Sequence, residues 1–185
     1  MNMINILKPY GIPPKIKEEI LNNWEKIRDD YLSLEENKII EYKEEGKIHS
    51  EKNKWKVFKF RDHPFGDKIN KDKCKFTHQI LDKIPRLKGA AFSILEGNSK
   101  IEPHHGIKDA TMRHHLGLII PKKTFIKIDG EKKFWEEGKI LSFDDTKLHE
   151  VQNLSNSKRV ILMFDVQYKF SILWWIIKII KIFKK

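Results

Sequence analysis

The chain of 185 residues predicts a mainly β fold, a sandwich or barrel with helices from its N-terminal half packed on it. Three observations carry that expectation. From Gly89 onward, short apolar runs at 90–95, 113–120, 124–128, 140–143 and 160–166 recur at intervals of roughly ten residues. Gly97, Pro103, Gly106, Pro121, Gly130 and Gly138 punctuate them, which fits hairpins better than βαβ units. Before Gly89 the apolar spacing lengthens to three and four, the period of an amphipathic helix.

Each element has a local reason. Pro13 and Pro14 precede Ile16, Ile20, Trp24, Ile27 and Tyr31, with acids and lysines between them, so one helix is predicted over 15–36. Residues 39–53 are polar and irregular. The run 54–60 alternates apolar and polar side chains as a strand does. Pro64, Gly66, Asn70 and three aspartates make 61–72 a loop. Phe76, Ile80, Leu81 and Ile84 mark a second helix, stopped by Pro85. No internal repeat or low-complexity linker interrupts the chain. One domain is therefore expected over 1–167, with a helical N-terminal part (1–88) and a β core (89–167), followed by a basic amphipathic tail at 168–185. At helical spacing the tail sets Lys178, Lys181 and Lys185 against Ile172, Ile176, Ile179, Ile180 and Phe183. With Trp174 and Trp175 it reads as an interfacial helix on an anionic membrane, too short and too charged to span one.

Composition excludes several function classes. Hydrophobic residues at 39% and aromatics at 11% suffice for a packed core, which rules out a disordered chain. The single cysteine, Cys74, permits no internal disulfide and no cysteine-rich zinc site, and it reads as a buried small apolar residue. A reducing, cytoplasmic location is expected, and residues 1–14 carry no secretory pattern. The formal charge is +11, but only five of the 37 basic residues are arginine. Arginine is the side chain that reads phosphates and base edges bidentately, so no specific nucleic-acid partner is expected, only a general attraction to anionic surfaces.

The chemistry concentrates in histidines. Five of the eight lie between His104 and His149. In the run Arg113-His-His-Leu-Gly-Leu-Ile-Ile120, a strand places Arg113, His115, Gly117 and Ile119 on one face and His114 on the other. Likewise Arg159, Ile161 and Met163 share a face, opposed to Val160, Leu162 and Phe164. A guanidinium set inward needs an anion, and a bound dicarboxylate would supply one. His104 and His149, from distant segments, together with Arg159 ten residues beyond the second, fit an Fe(II) site with an adjoining 2-oxoglutarate pocket. The usual third ligand is a carboxylate two residues after the first histidine; here that position is Gly106. His105 and His114 are not expected to ligate. Asp144 and Asp145 are expected to cap the turn before His149, with donation of the missing carboxylate as the alternative. Trp135 reads as core.

These motifs resemble the aspartyl/asparaginyl β-hydroxylase family: Pro103-His-His-Gly106, Arg113-His-His-Leu-Gly-Leu-Ile-Ile-Pro121, Trp135-Glu-Glu-Gly-Lys139, Phe143-Asp-Asp145, His149-Glu-Val151 and Arg159, in family order. The resemblance is strong over 89–166, looser from Trp24, and does not cover the tail. It implies a double-stranded β-helix (jelly-roll, cupin-like) core and Fe(II)- and 2-oxoglutarate-dependent dioxygenase activity, with dioxygen as second co-substrate. It also implies roles: His104 and His149 as metal ligands, Arg159 and Ser93 on the distal carboxylate of 2-oxoglutarate, His115 near its metal-side carboxylate, and Arg113 as a further active-site arginine. Gly106 agrees with the branch that lacks the metal-binding carboxylate. The implied reaction hydroxylates an unactivated C–H, first of all the β-carbon of an Asp or Asn in a peptide or protein. A membrane lipid acyl chain is the alternative, motivated by the tail. Ranked below are a halogenase, since a missing carboxylate leaves room for halide, and a non-catalytic binder of anionic surfaces.

Overall fold

The computed structural model describes residues 11–42, 50–51, 54–62, 67–106 and 111–167. Its elements are α1 (Pro14–Asn22), α2 (Trp24–Leu32), β1 (Ile40–Glu41), β2 (Trp55–Asp62), β3 (Asp67–Lys68), α3 (Lys75–Asp82), β4 (Leu87–Leu95), β5 (Ser99–His104), β6 (Thr111–Ile119), β7 (Thr124–Ile128), β8 (Glu131–Lys133), β9 (Ile140–Asp144), β10 (His149–Asn153) and β11 (Arg159–Gln167). The basic tail expected at 168–185 lies outside the described residues. Among the described residues, no helix is long and apolar enough to cross a membrane.

The strands form two antiparallel sheets. The larger runs β1-β2-β4-β11-β6-β9, with β3 beside β2; the smaller runs β5-β10-β7-β8. From β4 to β11 the chain passes between the sheets, and each sheet interleaves early and late strands, which is the double-stranded β-helix (jelly-roll) topology. The helices cover the outer face of the larger sheet. Strand parity sorts the core into two layers. Phe58, Phe60, Phe92, Leu116, Leu162 and Phe164 point outward to meet Ile20, Ile27 and Leu81 of the helices. Trp55, Val57, Ile101, Ile126, Ile161 and Met163 fill the space between the sheets. Each fully buried side chain of this kind contributes about 1.5–3 kcal/mol, so a one-residue slip of β11 would exchange both layers at once.

The sequence pattern missed three features. The helix expected over 15–36 is two helices. Asn23 leaves the helical region at φ −125°, and its side-chain amide donates to the Glu19 carbonyl at 2.9 Å. That bond competes with the helix's own ladder and breaks it. The expected loop from Arg61 begins inside β2, because Arg61 pairs with Ala90 on one side and Lys68 on the other. Strand β5 also went unnoticed, since Pro103 and Glu102 mask its alternation, although its inward positions Ser99, Ile101 and His104 are buried.

Candidate active site between the two sheets

The site lies between the sheets, in a narrow chamber of about 20 Å³ lined by Trp55, Ser93, His104, Arg113, His115, His149 and Arg159 among others. Register brings its residues together. β5 and β10 pair so that His104 stands opposite His149, and their ring centroids are 4.2 Å apart. Across the larger sheet, Ser93 on β4 stands opposite Ile161 on β11, which in turn faces Gly117 on β6.

The two histidines are held in the same way. His104 Nδ1–H donates to the Glu102 carbonyl at 2.7 Å, and His149 Nδ1–H donates to the Lys147 carbonyl at 2.8 Å. A main-chain carbonyl only accepts, so both rings donate from Nδ1 and turn Nε2 toward the chamber, the orientation a metal-binding histidine adopts. Among the described residues no group of three or more metal-ligating side chains assembles.

The two arginines differ in charge balance. Arg113 donates to Asp165 in bidentate fashion, Nε to Oδ1 at 2.9 Å and NH2 to Oδ2 at 3.1 Å, and reaches Asp145 Oδ1 through NH1 at 2.7 Å. Arg159 is 2% exposed and meets no carboxylate among the described residues. Its Nε is buried without a hydrogen-bond partner, and burial alone draws its pKa down to about 9. Trp135 lies under its guanidinium, 5.1 Å from ring centroid to Cζ. The chamber therefore holds one uncompensated cation, the condition for binding an anion. Ser93 accepts the Trp55 indole N–H at 2.9 Å and keeps its own proton to donate. His115 is neutral: burial, then Arg159 and Arg113, hold its pKa well below the usual imidazole value.

Asp145 departs from the sequence expectation. Asp144 does cap the turn, accepting the Thr146 N–H at 3.0 Å and its hydroxyl at 2.7 Å. Asp145 instead turns inward, 1% exposed, with Oδ1 lying 3.6 Å from His149 Nε2. Its carboxylate occupies the space a side chain at position 106 would need: a Cβ on Gly106 would lie 2.6 Å even from the farther oxygen. Gly106 and Asp145 are thus a matched pair, tied also by the Gly106 N–H to the Asp145 carbonyl at 2.8 Å.

The sequence-chosen residues His104, His149, Arg113, His115, Ser93 and Arg159 all line the one chamber. His105 and His114 do not. His105 bonds the Thr146 carbonyl at the surface, and His114 bonds Ser142 on the opposite face of β6 and stacks on Phe164. Sequence reasoning overlooked Asp165 and Trp55. Asp165 was within reach, because it lies an even number of residues from Arg159 on the same strand. Trp55 was not, since its place depends on the register of β2 against β4.

Residues 21–169 match the aspartyl/asparaginyl beta-hydroxylase family. The chain belongs to that family. It is 36% identical over 115 residues to an ornithine lipid ester-linked acyl 2-hydroxylase of Rhizobium tropici, an alignment covering 60% of this chain and 41% of that one. It is 32% identical over 161 residues to human aspartyl/asparaginyl beta-hydroxylase, covering 82% of this chain and 21% of the human protein. The chain thus spans less than half the length of either relative. Among solved structures, the cupin domain of an XRE-family transcriptional regulator from Enterobacter cloacae aligns with 63% of this chain and 100% of its own, at 15% identity and a TM-score of 0.44.

Proposed function

We propose that this hydroxylase-family chain is an Fe(II)- and 2-oxoglutarate-dependent dioxygenase that hydroxylates an unactivated C–H, first of all the β-carbon of an Asp or Asn residue in a peptide or protein. The observation that carries the reading is Arg159, a buried cation that meets no carboxylate among the described residues, in the same chamber as His104 and His149. Arg159 would meet the charge of a dicarboxylic co-substrate, and His104 and His149 would hold a divalent iron through Nε2. When bound, iron and 2-oxoglutarate supply the oxidation: dioxygen is consumed, 2-oxoglutarate leaves as succinate and carbon dioxide, and one oxygen atom enters the C–H bond.

The chain's own residues do the rest. His104 and His149 hold the metal. Arg159, with the Ser93 hydroxyl, grips the distal carboxylate. His115 stands by the metal-side carboxylate as a neutral donor. Arg113 has its charge satisfied by Asp165 and Asp145, so its contribution is to fix Asp145 beside His149. The apolar lining from Ile101, Ile126, Val151, Ile161 and Met163 excludes water.

An anaerobic titration with Fe(II) and 2-oxoglutarate tests this. The wild type should develop the visible charge-transfer band of a bidentate complex; His149→Ala and Arg159→Met should not. A folded wild type that takes up no metal and shows no band would refute the reading.

A second substrate class is favoured by the Rhizobium tropici relative, whose name assigns it a lipid acyl chain. In that reading the basic, aromatic sequence at 170–185 holds the enzyme on the cytoplasmic face of an anionic membrane. Turnover on anionic vesicles but not on Asp- or Asn-containing peptides would select it.

A further inference from the structure

Trp135 does not line the chamber, yet it touches two residues that do. Its indole N–H donates to His115 Nδ1 at 3.3 Å, and its ring lies beneath the Arg159 guanidinium. An indole nitrogen can only donate, so His115 Nδ1 must accept, and a neutral imidazole then carries its proton on Nε2. His115 Nε2 is buried and has no partner among the described residues. An N–H left unanswered in a dry site needs an acceptor there.

The backbone is built to place Trp135 so. The segment after β8 crosses directly over β6: Gly117 N–H donates to the Lys139 carbonyl at 3.0 Å, and Gly138 N–H donates to the Gly117 carbonyl at 3.0 Å. A Cβ at Gly117 would run into the Glu136 carbonyl, 2.9 Å from its carbon. Only glycine lets Glu136 pack that close, and Trp135 immediately before it then reaches His115, two residues earlier on β6. Phe143 also packs edge-on against His115, with ring centroids 5.2 Å apart.

We propose that Trp135 is a positioning residue for the anionic co-substrate: its N–H fixes His115 as the Nε2–H tautomer and its ring braces Arg159, so both groups present donors to the chamber. The role in binding rests on the reading of the chamber as a 2-oxoglutarate site. The tautomer does not.

The decisive readout is therefore the ¹⁵N spectrum of His115 in the protein free of metal and ligand, with 2-oxoglutarate affinity measured beside it using Mn(II) in place of iron. Wild type should show a single Nε2–H tautomer with a hydrogen-bonded Nδ1. Trp135→Phe should show mixed tautomers and about tenfold weaker 2-oxoglutarate binding, the worth of one hydrogen bond to a charged acceptor. Site-specific replacement of Trp135 by benzothienylalanine, which keeps the fused ring and lacks the N–H, should reproduce the tautomer change with the fold intact. An Nδ1–H tautomer in wild type, or an unshifted Nε2–H tautomer in either variant, overturns the proposal. If His115 behaves as expected but wild type binds no 2-oxoglutarate, the tautomer control by Trp135 is supported and the co-substrate reading fails.

Discussion

Gly106→Ala perturbs the point where the site departs most from a three-ligand arrangement. The new Cβ would lie 2.6 Å from the farther Asp145 oxygen, against an ordinary contact of 3.4 Å or more, so the carboxylate must retreat by at least about 0.8 Å. The backbones cannot separate easily, because the Gly106 N–H is bonded to the Asp145 carbonyl at 2.8 Å. Moving the carboxylate lengthens its 2.7 Å contact with Arg113 in a buried setting. Arg113 keeps its bidentate partner Asp165, so the loss is that of one close, buried ion-pair contact, about 2–3 kcal/mol. Urea denaturation of four proteins measures it: wild type, Gly106→Ala, Asp145→Ala and the double variant. With Asp145 reduced to alanine the clash is gone, so Gly106→Ala should then cost under about 0.5 kcal/mol, leaving a coupling energy of about 2 kcal/mol. Equal costs in both backgrounds, or a single variant as stable as wild type, would refute the pairing of Gly106 with Asp145.

Arg159→Met should leave the ligand-free protein at least as stable as wild type in urea, because it removes a buried cation that has no carboxylate beside it among the described residues. In the same comparison 2-oxoglutarate with Mn(II) should raise the melting temperature of wild type alone; a variant destabilised by more than about 1 kcal/mol would contradict the unpaired state of Arg159. Burial pushes His114 down to about 4, while in the unfolded chain it titrates near 6.5. The unfolded state therefore binds the extra proton between those values, and stability should fall by roughly 3 kcal/mol as pH drops from 6.5 to 4, then level off for this group. His114→Gln should flatten that part of the stability–pH curve, and an unchanged slope would count against it. Gly117→Ala should destabilise by about 1–3 kcal/mol through the Glu136 carbonyl. It should also disturb His115 in the ¹⁵N spectrum, since lifting the crossing segment moves Trp135.

Much of the site was legible because strands alternate. Once residues 113–120 are a strand, Arg113 and His115 must share a face and His114 must oppose them, and the structure places all three so. The same parity put Arg159 between the sheets and Val160, Leu162 and Phe164 under the helices. Asp145 was not legible, because nothing local separates it from Asp144. One side chain bonds its own turn, whereas the other is drawn inward by Arg113 across strands far apart in sequence. The break at Asn23 escaped because the apolar spacing runs through it unchanged. A side-chain amide, not a change in hydrophobic pattern, ends the helix there.

By itself, then, the order of residues determined the β architecture, the inward faces and the chemical types available to the site, since those depend on local period and side-chain identity. Tertiary structure decided the charge balance. Of two arginines that strand parity turns inward, one is neutralised by Asp145 and Asp165 and the other meets no carboxylate among the described residues. That outcome depends on strand register and on which acids the packed sheets bring within hydrogen-bonding distance of each guanidinium.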